Sequence, residues 1–97
     1  MVFEWDARKA AANVRKHGVS FGEAVTVFAD PEALDGPDLK HSEQEKRFLR
    51  LGRSLTGRVL IVAYTIRGAG DDEKIRIISA RQASRKERAA YASDSPD

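Results

Sequence analysis

Three runs in the second half of the chain alternate apolar and polar residues: "KRFLRLGR" (46–53), "RVLIVAYTIR" (58–67) and "KIRIISA" (74–80). A period of two is the signature of a strand with one buried face. Only "SLTG" and "GAGDDE" separate the runs, and connections this short join antiparallel neighbours. The chain is thereby committed to an antiparallel meander. Whatever precedes the meander must cover one of its faces.

The first half supplies that cover. "VFEW" reads as a short strand, after which Asp6 can N-cap a helix over Ala7–His17, closed by Gly18. Its apolar face is predicted to be Ala7, Ala10, Ala11 and Val14. "SFGE" (Ser20–Glu23) is a capping box, in which Ser20 accepts from the Glu23 amide while Glu23 reaches back. Phe21, Ala24, Val25 and Phe28 then follow helical spacing until Asp30-Pro31 stops them. Residues 32–36 read as a short strand. In the polar loop that follows, the Ser42–Glu45 pair precedes no apolar helical period and predicts no helix. "SRKE" (Ser84–Glu87) opens a last helix to about Ala92. The predicted order is β-α-α-β-β-β-β-α, an α+β fold with an antiparallel sheet. It forms a single domain over residues 1–92, with residues 93–97 as a disordered tail.

The strand pattern also assigns faces. If Arg53 opposes Arg58 and Arg67 opposes Lys74, one face carries Leu49, Leu51, Leu60, Val62, Tyr64, Ile66, Ile75 and Ile77. The other carries Phe48, Arg50, Ile61, Ala63, Thr65, Arg67, Lys74, Arg76 and Ile78. The first is the expected core face, and the second mixes arginine with apolar groups. Two like-charge pairs, Arg53–Arg58 and Arg67–Lys74, count against this register.

Charge is distributed unevenly. Residues 1–45 carry five Lys/Arg against nine Asp/Glu, and residues 46–88 carry twelve against four. The basic half points to a nucleic-acid or acidic-protein partner, or to a solvated surface. Arginine's donor fork matches phosphate oxygens, and Phe48 is placed to stack a base or simply to pack. No apolar run approaches the ~20 residues of a membrane helix. "MVFEWDARK" lacks the apolar core of a secretion signal, which fits a cytoplasmic location. The chain has no cysteine, which excludes disulfides and thiolate chemistry. Two separated histidines, His17 and His41, argue against a metal site.

Taken together, "FEWD", "KAAANVRKHGVSFGEAVTVFADP", "EKRFLRLGRS", "LIVAYTIRG" and "IRIISARQASRKERAAY" resemble the BrnT family of bacterial type II toxins over roughly residues 3–91. The resemblance implies a RelE-like fold with two N-terminal helices on one face of the sheet. It implies an endoribonuclease that arrests growth by cleaving RNA and needs no cofactor. It also implies a partner: the BrnA antitoxin, a ribbon-helix-helix protein, in a heterotetramer that reaches operator DNA only through the antitoxin. The acidic "GAGDDE" loop looks longer than is usual in the family and lies beside the expected basic face.

Metal-free RNA cleavage needs a base for the 2′-hydroxyl, cations for the transition state and an acid for the leaving oxygen. Arg67 and Arg76 are the candidates for the transition-state charge, and Arg76→Ala is expected to abolish activity in a folded chain. His17 is the candidate acid or base, although a histidine is also favourable at a helix C-terminus for the dipole alone. Arg50, Arg81, Lys74, Lys9, Lys16 and Phe48 are the candidate RNA contacts. The sparse proton-transfer groups leave open a non-catalytic module that binds RNA or the antitoxin.

Overall fold

The computed structural model describes residues 1–94. Strand β1 (Phe3–Glu4) is followed by helices α1 (Ala7–His17) and α2 (Phe21–Thr26), the latter extended by a 3₁₀ turn at Val27–Ala29. Strand β2 (Leu34–Pro37) leads through a 3₁₀ turn at Leu39–His41 to β3 (Arg47–Arg53), β4 (Val59–Arg67), β5 (Lys74–Gln82) and α3 (Arg85–Asp94). The sheet order is β1-β5-β4-β3-β2. The meander β2–β3–β4–β5 is antiparallel as expected, and β1 adds to its edge as a parallel strand against β5. Ser93 and Asp94, expected in the tail, continue α3; residues 95–97 lie outside the described residues.

The local signals act where the sequence places them. The Asp6 carboxylate accepts from the Arg8 and Lys9 amides, and Gly18 closes α1 in the left-handed conformation. Ser20 caps α2 by accepting from the Glu23 amide. The Glu23 side chain does not complete that box. It turns instead to the β3–β4 hairpin, where Ser54, Thr56 and Arg58 donate to it. At α3 the box is reciprocal, with Glu87 N–H donating to Ser84 Oγ and Ser84 N–H to the Glu87 carboxylate.

The core lies between the helices and one sheet face. Val19, Phe21, Ala24 and Val27 pack on Leu60, Val62, Tyr64, Ile77 and Ala80. The contribution of α1 differs from the expected one. Its buried residue is Asn13, while Val14 stays 48% exposed and Ala7 and Ala11 face solvent. The helix lies along β5, and the Asn13 amide binds both the N–H and the C=O of Ala80. Those backbone groups point away from β4, so an apolar side chain here would leave them unsatisfied.

Two one-residue irregularities decide which side chains share a face. The second hairpin starts in the expected register, with Arg67 opposite Lys74 and Tyr64 opposite Ile77. Ile78 is then an extra residue, and Ser79 pairs with Ala63. This β-bulge moves Arg81 from the helix side to the open side of the sheet. In the first hairpin Arg53 opposes Val59, not Arg58, and every β3 residue is shifted by one. The cause is Gly57 at φ +92°, which follows a turn closed by its own N–H donating to the Ser54 carbonyl. Ser54 N–H donates to the Arg58 carbonyl, which leaves a three-residue loop with a glycine bulge, one residue shorter than the loop a pairing of Arg53 with Arg58 would leave. The shift separates one expected like-charge pair.

The shift corrects four placements. Leu49 and Leu51 face the open side. Phe48 and Arg50 face the helices. Phe48 stacks on Tyr64 at 5.4 Å, inside an aromatic chain that continues to Phe28 and Phe3. Arg50 is only 17% exposed at its side chain and sits over the Phe28 ring. Its guanidinium is compensated by Asp35 at 2.6 Å and by the Val27 and Asp30 carbonyls. A partly buried arginine is tolerable with such partners.

A basic groove on the open face of the sheet

No helix of the N-terminal pair covers the second face, and a groove of about 610 Å³ runs across it. Leu49, Ile61, Ala63, Ile78 and Ser79 make its floor. On the β5 side stand Arg81 and His17, the last residue of α1. On the other side stand Arg47 and the 38–41 segment with Lys40 and His41. A second depression of about 470 Å³ continues past Lys40, His41 and Arg47 to Arg67.

The sequence candidates divide accordingly. His17 and Arg81 line the groove, and Arg67 lines its continuation. Arg76 points to the open face as expected, but stands outside the groove lining and pairs with Glu4 at 2.8 Å. Lys74 is exposed at the start of β5. Lys9 and Lys16 are exposed on α1 and do not line the groove. Phe48 and Arg50 belong to the helix side, so the open face is built without them.

Most arginines of this face already hold a carboxylate. Arg67 pairs with Glu45 at 3.5 Å and Arg76 with Glu4. Arg81 grips Glu87 with two hydrogen bonds of 2.8 and 3.0 Å. The Arg81 guanidinium holds the Glu87 carboxyl down at about 2, against the burial that would raise it. Arg47 differs. Its side chain forms no ion pair among the described residues, and its Nε is buried without a hydrogen-bond partner.

Sequence reasoning missed Arg47, Lys40, His41 and Asp38. Arg47 was hidden by the register: pairing Arg53 with Arg58 puts it opposite Tyr64 on the core side, whereas it opposes Thr65 on the open side. His41 lay in a polar loop, yet a signal was present in "DLKH", which puts Asp38 three residues before it. The Asp38 carboxylate oxygens lie 3.0 and 3.2 Å from His41 Nδ1. The loop that carries them is pinned. Ser42 Oγ donates to the Asp38 carbonyl and accepts from the Arg47 amide, and Thr65 Oγ1 donates to the Lys46 carbonyl. The Ser42–Glu45 pair starts no helix, as expected.

Tyr64 is not a proton-transfer candidate. It faces the core, its hydroxyl donates to Asp35 at 2.8 Å, and burial with that carboxylate pushes it up to about 12. Among the described residues no cluster of three or more His, Asp or Glu is placed to hold a metal ion, and no helix is long and apolar enough to cross a membrane.

A small α+β domain with one sheet face packed under helices and a basic groove on the other defines the structural class. The family described as ribonuclease toxin, BrnT, of type II toxin-antitoxin system matches residues 5–87, and the chain belongs to this family of toxins. The fold agrees. The 1.1 Å crystal structure of the Brucella abortus ribonuclease toxin BrnT matches with a TM-score of 0.64 at 22% identity, over 88% of this chain and 100% of that one. No curated relative matches the chain.

Proposed function

We propose that this chain is an endoribonuclease that cleaves RNA in the groove with its own side chains and without a metal ion. The observation that carries this reading is Arg47, an unpaired guanidinium on the wall of a groove that also holds two imidazoles. A cation with no internal partner is available to a phosphate. Arg81 stands across the floor as a second cation. Arg67 and Arg76 extend the basic surface, and their exposed pairs can yield to phosphates, because such pairs are worth little in water. The apolar floor suits a base or ribose beside the phosphodiester.

The family supports the rest of the proposal. The chain acts in the cytoplasm and arrests growth. It is neutralised by a BrnA-like ribbon-helix-helix antitoxin, in a heterotetramer that meets operator DNA through the antitoxin only. The acidic Asp71–Glu73 stretch, at the Arg67–Lys74 end of the sheet, weakens RNA binding on that side. A second reading, a non-catalytic antitoxin-binding domain, is favoured by the carboxylates already on Arg67, Arg76 and Arg81.

Induction of the chain alone and incubation of the purified protein with RNA in EDTA separate the two. Growth arrest and cut RNA, both lost in Arg47→Ala, are expected. Intact RNA and normal growth, with a stable antitoxin complex, overturn the enzyme reading.

A further inference from the structure

We infer that His41 is the general base of the cleavage, positioned by Asp38, and that His17 is the general acid on the opposite wall of the groove. The inference rests on the reading that RNA is cut in this groove.

The geometry begins with Asp38, which is 8% exposed. Its carboxylate has one side-chain partner among the described residues, His41 Nδ1. Burying a carboxylate for a loop contact alone is costly. As a carboxylate it can only accept, so Nδ1 must carry the proton. That selects the tautomer whose Nε2 lone pair is free, and the imidazole is 62% exposed on the groove wall. A carboxylate behind an imidazole fixes its orientation and stabilises the imidazolium that forms when Nε2 takes a proton. The ring is also held in a pinned loop, as catalytic geometry requires. The charged groups facing it are Lys40, Arg47 and Arg67 on one hand, and Asp38, Glu43 and Glu45 on the other.

His17 has the complementary setting. It ends α1, shares the groove wall with Arg81 and has no carboxylate partner among the described residues. His17 meets the groove from the β5 side and His41 from the side of β2 and β3, so a phosphodiester lying on the floor has one imidazole on either hand.

The step then balances. The 2′-hydroxyl gives its proton to His41 Nε2 as its oxygen attacks phosphorus. The O2′–P bond forms and the P–O5′ bond breaks. The departing O5′ takes the proton of the His17 imidazolium, while Arg47 holds the non-bridging oxygens. The products are a 2′,3′-cyclic phosphate and a 5′-hydroxyl end.

The test uses the purified full chain and an RNA oligonucleotide, with a second oligonucleotide carrying sulfur in place of the bridging 5′-oxygen at the mapped cleavage position. A thiolate leaves without protonation. His41→Gln and His17→Gln are each expected to lower kcat on normal RNA by about 100- to 10,000-fold. On the sulfur substrate His17→Gln recovers to near the wild-type rate, and His41→Gln does not. Asp38→Asn, with an unchanged melting curve, lowers kcat and leaves KM unchanged, as a positioning residue should. The inference is overturned if His41→Gln cuts normal RNA at the wild-type rate, or if the sulfur substrate rescues it. Wild-type protein that leaves RNA intact overturns the ribonuclease reading itself, and this inference with it.

Discussion

Asn13 binds both backbone polar groups of Ala80: its Oδ1 accepts from the Ala80 N–H at 3.1 Å and its Nδ2 donates to the Ala80 carbonyl at 2.8 Å. The same Nδ2 donates to the Val19 carbonyl at 2.9 Å, so one buried amide ties α1, the α1–α2 connection and the edge of β5 together. His17 lies four residues further along the same helix face, which is why it reaches over β5 into the groove. Asn13→Ala would leave buried peptide groups without partners, a loss of about 3 kcal/mol. The melting temperature is expected to fall by roughly 10 °C or more. Asn13→Asp should be at least as damaging, because a carboxylate oxygen would face two carbonyls where donors now stand. Thermal unfolding of the two variants checks both the size and the order.

Glu23 predicts acid sensitivity. Hydrogen bonds from Arg58 chiefly, and from Ser54 and Thr56, hold its carboxyl at about 2 against the opposing effect of burial. A carboxyl lowered in the fold stabilises it above the ordinary value of 4.5, and that contribution disappears as pH falls from there toward 2. Glu87, held at about 2 by Arg81, adds a loss in the same window. Glu23→Gln is expected to cost about 2 kcal/mol near neutral pH. The gap between wild type and variant should narrow at about pH 3, where wild type begins to lose the same interaction. Urea unfolding at the two pH values measures the gap.

Element order, both serine caps and the start of the β4–β5 register were legible because each rests on a local signal. Asp6, Ser20, Ser84 and Gly18 act within a few residues of themselves. The faces of β3 were not, because a single residue at Gly57 flips them all and alternation looks the same in either register. Arg81 was a candidate by its charge, but alternation alone could not show the bulge at Ile78 that turns it to the open face. The pairing of β1 rests on two residues, too few for a pattern. Asn13 sat on a helix whose alanines looked more suited to the core, and only the unpaired edge of β5 explains its burial. Asp38 and His41 were visible as a spacing, but their place on the groove wall depends on the whole sheet.

Gly52 tests the register directly. In the observed pairing it faces the helices, and a Cβ there would stand 2.7 Å from Val27 Cγ1 and 3.0 Å from Ala33 Cβ. Gly52→Ala should therefore destabilise by about 1–3 kcal/mol through overpacking. Adding Val27→Ala makes room, so the double variant is expected to lose less than the sum of the two single changes. With β3 shifted by one residue, Gly52 would face the open side and alanine would be harmless. Equilibrium unfolding of the single and double variants distinguishes the two registers.

Arg47, Arg50 and Arg76 lie on the sheet within two strands of one another and are expected to fail in different ways. Arg47→Ala removes a guanidinium with no internal ion pair, so stability should change by about 1 kcal/mol or less, while kcat on RNA falls about 100-fold or more. Arg50→Ala removes the partner of Asp35 and the cation over Phe28, so about 2–3 kcal/mol of stability is lost while activity per folded molecule persists. Arg76→Ala frees Glu4 outside the groove. Its expected effect is weaker RNA binding, with a salt slope shallower by about 0.7 for one lost phosphate contact on a single strand. Unfolding curves, single-turnover cleavage and RNA affinity across a salt series, measured on the same three proteins, separate a groove cation from a structural one and from a backbone-tracking one. Were Arg76→Ala to abolish cleavage at unchanged affinity, the catalytic charge would lie on β5 rather than at Arg47.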